Sequence, residues 1–119
     1  MNQKLFVRSL RLFYTMQEHY IRIPFPWKEE EWNMLKNSMN LEQNNCVNRL
    51  QDRYPTLSIK DMQFIVLTLL GLGNKQISLF FHVTLSSLRK KRYRLIKKIG
   101  LEDNISLCEA LETFLKEIA

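Results

Sequence analysis

The sequence predicts an all-α fold, with a helical linker over residues 1–55 followed by a compact four-helix unit over 56–119. Three observations carry this expectation. Apolar residues recur at three- and four-residue intervals along most of the chain, the spacing of one helix face. Asparagine, glycine and proline gather at the breaks between these runs, as in Pro24/Pro26, Asn44-Asn45, Tyr54-Pro55 and Gly71/Gly73. The most apolar stretch, 64–72, is followed by a short apolar run and then by a segment crowded with lysine and arginine.

Composition narrows the function. A chain of 119 residues has room for one domain, or one small domain with a helical attachment. At 45% apolar it can bury a core. The net charge is +6, and seven of the 18 basic residues fall within 89–98, which holds no acid. A local basic stripe on a near-neutral body calls for an anionic partner at that surface. Cys46 and Cys108 read as buried free thiols, and only His19 and His82 are available to join them, so no metal-ligand spacing exists. The apolar run at 64–72 is too short to span a bilayer, so no membrane partner is expected. The amino terminus lacks a signal-peptide hydrophobic region, which makes the cytoplasm the expected location. Two isolated histidines, no carboxylate constellation and no phosphate-cradling glycine loop argue against an enzyme and against a cofactor, and no small-molecule site is evident.

The elements follow in order. Residues 3–22 carry Leu5, Phe6, Leu10, Leu12, Phe13, Met16 and Tyr20 at helical spacing. This helix either packs on the domain or forms the tail of a dimerising linker; the spacing fits both. Pro24 and Pro26 end it, because each lacks an amide proton and restricts its predecessor. A helix restarts over Trp27–Met39, with Glu29, Glu30 and Glu31 at its positive amino end and Trp32, Leu35 and Met39 on its apolar stripe. Trp27 and Trp32 read as core packing rather than as a ligand-binding pair. Asn40 and Asn44-Asn45 mark a turn, and a helix over 44–53 buries Cys46, Val47 and Leu50 before Tyr54-Pro55 stops it.

Ser58 is an N-cap with Asp61 at the capping-box position. Met62, Ile65, Val66, Leu69 and Leu70, widened by Phe64 and Leu67, predict a helix covered on several sides. Gly71 and Gly73 supply the left-handed backbone of a sharp exit. A short helix starts at Asn74 and turns Ile77 and Phe81 inward, with Phe80 near them. His82-Val83-Thr84 is the turn, and Thr84 caps a long helix that ends at Gly100. In that helix Leu88, Leu95 and Ile99 face inward, and Ser86, Arg89, Lys90, Tyr93 and Lys97 face outward. Arg92 lies at the edge of the buried stripe, so it is expected to bond Asp61 or a phosphate. Ser106 and Glu109 open a last helix, whose face of Leu107, Leu111, Phe114 and Leu115 either closes the core or forms a dimer seam.

Two helices around a tight turn, the second dense in cations, have the layout of a helix-turn-helix whose second helix enters the DNA major groove. The residues Leu57, Ser58 and Asp61, the Gly71/Gly73 break, Asn74-Lys75-Gln76-Ile77-Ser78, Ser87-Leu88-Arg89 and Lys98-Ile99-Gly100 resemble the LuxR-type (GerE-like) helix-turn-helix domain of bacterial transcriptional regulators. Trp32, Leu35, Met39, Leu50, Tyr54-Pro55 and Arg92-Tyr93-Arg94 extend the likeness to regulators of this type from Bacteroidetes, in which a helical linker precedes the reader. This chain departs from the family pattern at Gln76, Ser78, Phe80-Phe81, Ser87 and Lys90-Lys91, so site preference does not carry over from better-known members.

The resemblance implies sequence-specific binding of double-stranded DNA by the output part of a larger regulator. It implies Ser86, Arg89 and Lys90 at base edges, and Lys75, Ser87, Lys91, Tyr93, Arg94 and Lys97 at phosphates or fixing register. It also implies a homodimer, associating through the 106–118 helix or the amino-terminal helix. Region four of sigma factors shares the helical core and would reach promoter DNA through RNA polymerase. A module of another class, a helical protein-interaction domain, would use the same basic helix on an acidic partner.

Overall fold

The computed structural model describes residues 3–19, 27–100 and 106–119, and among these every regular element is helical. A 3₁₀ turn, Gln3–Phe6, leads into α1 (Val7–His19); α2 (Glu29–Glu42) and α3 (Cys46–Arg53) follow. Then come α4 (Ile59–Leu69), α5 (Asn74–Phe81), α6 (Leu85–Lys98) and α7 (Leu107–Ile118). The expected break at Pro24 and Pro26 lies outside the described residues. No described helix is long and apolar enough to cross a membrane.

The helix ends form where local chemistry provides partners for orphan backbone groups. Ser58 Oγ accepts from the Asp61 amide at 3.1 Å, and the Asp61 carboxylate accepts from the Ser58 amide at 2.9 Å, completing the capping box expected there. Ser106 Oγ accepts from Glu109 N–H at 3.1 Å. At the end of α4, Gly71 takes φ +93°, with Gly71 N–H donating to Thr68 and Leu72 N–H to Leu67, a left-handed exit that suits glycine. Gly73 differs from expectation. Its backbone is extended (φ −79°, ψ 168°), and it is the N-cap of α5, its amide donating to Gln76 Oε1 at 3.1 Å.

Asn40 also departs from the expected turn. It lies within α2, which runs three residues beyond Met39, and its Oδ1 accepts from the amides of Val47 (2.8 Å) and Asn48 (3.2 Å). One side chain thereby caps the next helix from outside, while Asn44 and Asn45 make the turn at φ 44° and 59°. Glu42 does the same for α1: its carboxylate accepts from Arg8 N–H (2.7 Å), Ser9 N–H (2.8 Å) and Ser9 Oγ (2.7 Å). A negative group at the positive end of a helix adds to that bonding. These contacts set α1 antiparallel to α2.

The core runs without interruption across the boundary drawn at residue 55. Phe6, Phe13, Trp32, Leu35 and Met39 share one buried cluster with Ile65, Leu67, Leu95 and Leu111. α4 is its axle, since every side chain from Phe64 to Leu69 is buried. Phe13, Trp27, Trp32, Phe80 and Phe81 form an aromatic joint between α1, α2 and α5, with ring centroids 5.0–6.2 Å apart. In α5 it is Phe80 that is buried, whereas Phe81 is half-buried and stacks on Trp32, the reverse of the expected order. The bulk of this pair fills the space between the carboxyl-terminal unit and the amino-terminal hairpin.

α7 closes the opposite side. Leu107, Leu111, Phe114 and Leu115 are buried against the chain's own core, so they do not form a free dimer seam. Asn44 Nδ2 donates to the Ile118 carbonyl, and Arg53 lies 4.9 Å from the Phe114 ring centroid and 2.7 Å from Glu117. α7 thus joins back to the α2–α3 corner.

The two thiols differ. Cys46 is fully buried, and desolvation raises its pKa to about 12. Cys108 is half-buried. Iodoacetamide on the native protein is therefore expected to label Cys108 and spare Cys46, with both labelled in denaturant. Peptide mapping by mass spectrometry reads this directly, and native labelling of Cys46 would contradict the packing of α3.

Candidate nucleic-acid interface

The candidate interface is built on α5, the turn after it and α6. α5 ends with His82 in the left-handed region (φ 56°). His82 N–H donates to Leu79 at 3.3 Å and Val83 N–H to Ser78 at 3.0 Å, the paired bonds of a Schellman ending. His82 is thus a backbone turn residue. Thr84 opens α6, its Oγ1 accepting from Ser87 N–H at 3.1 Å. The Thr84 hydroxyl also bonds Ser87 Oγ at 3.1 Å, so Ser87 belongs to the cap as well as to the surface.

α6 runs unbroken for 14 residues, Leu85–Lys98. Leu88 and Leu95 are buried, and Ile96 and Ile99 are half-buried beside them. Helical geometry turns 100° per residue, which puts Ser86, Arg89, Lys90, Tyr93, Arg94 and Lys97 on the opposite side. All six are exposed. Lys97 Nζ sits 4.9 Å from the Tyr93 ring centroid, a cation held against an aromatic face. Lys75, on α5, is also exposed. No acid interrupts α6, which ends at Gly100 with φ +77°.

One expected ion pair is corrected. Asp61 does not hold Arg92. Its two oxygens accept from Lys91 Nζ at 2.6 Å and Lys98 Nζ at 2.7 Å. These lysines are seven residues apart, two turns, and lie on the same side of α6 toward the amino end of α4. Lys91, expected at a phosphate, is therefore turned inward and held. Burial alone would raise the Asp61 pKa; the bonds from Lys91, Lys98 and Ser58 outweigh it and hold the carboxyl well below its usual range. Asp61 thus caps α4 and clamps α6 to it at once.

Arg92 takes another environment. Its guanidinium lies 5.3 Å from the Phe64 ring centroid, and Nη1 is 3.8 Å from Cys108 Sγ. Its buried Nε has no hydrogen-bond partner among the described residues. The stem packs and the head stacks, so Arg92 behaves as a snorkelling wedge between α4, α6 and α7.

Sequence reasoning missed Lys98 as a clamp residue. The signal was present in the i, i+7 spacing of Lys91 and Lys98. It also saw no small-molecule site, whereas the fold leaves a cleft of about 730 Å³ between α2, α4, the α5–α6 turn and α6. Periodicity cannot reveal such a space, because it comes from how helices diverge. Among the described residues no group of three His, Cys, Asp or Glu side chains is placed to hold a metal ion. Comparison of this chain with protein-family models, with curated proteins and with solved structures gives no match.

Proposed function

We propose that this chain binds double-stranded DNA sequence-specifically as a transcriptional regulator, with α5 and α6 acting as a helix-turn-helix and α6 reading the major groove. The observation that carries this reading is the outer face of α6. Ser86, Arg89, Lys90, Tyr93, Arg94 and Lys97 project together from one rigid helix, with no acid among them. A cationic helix of this kind matches the width and charge of the groove.

The roles divide along the helix. Ser86, Arg89 and Lys90 sit in its first two turns, the part that approaches base edges when a reading helix enters end-first. Tyr93, Arg94, Lys97 and Lys75 suit phosphates and register. Ser87 keeps its place at the cap, where a phosphate near the positive end of α6 is within its reach. Lys91 and Lys98 orient α6 through Asp61 rather than reading DNA. The LuxR-type arrangement, and a place as the output part of a larger regulator, rest on the sequence resemblance together with this layout. Because the apolar face of α7 is buried in the chain's own core, the proposal puts pairing on adjacent half-sites at the outer side of α1 and α2, where Val7, Met34 and Leu41 are exposed.

In-vitro selection from a random duplex pool, followed by a salt titration of the selected site, tests the reading. The expected result is an enriched motif containing guanine. Its log–log salt slope should lie between about −3 and −5, from roughly 0.9 per neutralised phosphate. Absence of duplex binding at physiological salt would overturn it and favour a helical module for an acidic protein partner.

A further inference from the structure

The cleft beside α6 has the features of a ligand site. Its volume is about 730 Å³, within the range that accommodates small molecules. The rings of Trp27, Trp32, Phe64 and Phe81 line it. Ile59 and Val83 extend this apolar surface to the rim, where they are 78% and 43% exposed. A mostly apolar lining with a few polar groups at its edge is the make-up of small-molecule sites.

The charged side chains lining it are both cations, one of them paired with Asp61. They are Lys60 and Lys91, and no aspartate or glutamate lines it among the described residues. Lys60 is exposed. Lys91 gives one N–H to Asp61, and its side chain remains 32% exposed, so the ammonium has donors to spare for a second acceptor.

We propose that this cleft binds a small amphipathic anion, its apolar body against Trp27, Phe81, Ile59 and Val83 and its carboxylate at Lys60 and Lys91. A compact inorganic anion would leave the apolar lining of Trp27, Phe81, Ile59 and Val83 uncovered. A neutral hydrocarbon would leave the lysines without an acceptor. Leu88 and Lys91 belong to α6, so an occupant touches the helix assigned to DNA. If that assignment holds, the occupant lies beside Ser87, where a phosphate is expected, and the ligand lowers duplex affinity. The site itself does not depend on that assignment, and its test contains no DNA.

Trp27 and Trp32 are the chain's two tryptophans, so intrinsic fluorescence reports occupancy without a label. The full chain is titrated with octanoate, 1-octanol and octylammonium, which share one tail and differ in head-group charge. Octanoate is expected to give a saturable one-to-one change, with affinity roughly tenfold or more above the other two, the size of a charge-assisted hydrogen bond. Lys60→Glu, with circular dichroism confirming its helix content, is expected to weaken octanoate by roughly tenfold and leave 1-octanol unchanged. No saturable response, equal affinity for the three head groups, or an unchanged octanoate affinity in Lys60→Glu each overturns the proposal.

Discussion

Replacing Asp61 with alanine is expected to destabilise the fold by roughly 2–4 kcal/mol, from the loss of the carboxylate's half of the capping box and of two charge-assisted hydrogen bonds. The bond that the carboxylate accepts from the Ser58 amide contributes about 1 kcal/mol of this. The bonds to Lys91 and Lys98 contribute less than a fully buried pair would, because those lysines are 32% and 39% exposed and regain water once released. Asp61 itself is only 6% exposed at its side chain, which is why its partners matter to it. The second consequence is positional. Without Asp61 the inner side of α6 carries two lysines with nothing to hold them, and the helix loses its fixed angle on α4. Urea denaturation measures the stability loss. A change below about 0.5 kcal/mol, the ordinary range of surface substitutions, would show that the clamp contributes nothing.

The same carboxylate sets an acid limb. In the unfolded chain Asp61 titrates near 3.9. In the fold Lys91, Lys98 and Ser58 overcome desolvation and hold it well below that. The folded state therefore binds fewer protons, and the stabilisation is fully present above about pH 4. It is lost as pH falls from there through the folded value. Asp61→Asn lacks this titration, so its stability deficit against the wild type is expected to be largest at pH 7 and to shrink below pH 4. Parallel stability curves for the two proteins would sink the clamp.

Local chemistry made most of the fold legible. Ser58 with Asp61, Thr84 before α6, Gly71 and Gly100 each announce a helix end through a group the backbone needs. The buried sides of α2, α3, α4 and α6 follow from spacing alone. What periodicity could not give was the phase between helices. Arg92 and Lys91 are neighbours, and which one meets Asp61 depends on the angle at which α6 crosses α4. Phe80 and Phe81 exchange places for the same reason, since their burial is decided by α1 and α2. Asn40 reads as a turn residue because asparagine so often is one, yet its amide oxygen serves a helix seven residues on. The outer face of α6 is the opposite case. Its side chains are exposed and its order along the helix is regular, so a helical wheel suffices to find it.

Arg89→Ala and Lys97→Ala are expected to separate reading from holding. Both side chains are exposed on the same face of α6, eight residues apart. At 1.5 Å per residue this is about 12 Å, close to the width of the major groove, so in the proposed complex one helix would span from base edges to backbone. Arg89, nearer the amino end, can give two parallel bonds to guanine, worth about 1–3 kcal/mol of discrimination. Its removal should lower affinity for the selected site roughly 5- to 150-fold while barely changing affinity for unrelated duplexes. Lys97 offers a point charge steadied by Tyr93 in the last turn. Its removal should weaken every duplex alike and reduce the salt slope by about one unit. The decisive quantity is the ratio of specific to non-specific affinity at fixed salt. Arg89→Ala should collapse that ratio and Lys97→Ala should leave it intact. If both variants lose affinity equally on all sequences, α6 holds DNA without reading it, and sequence selection must come from elsewhere in the chain.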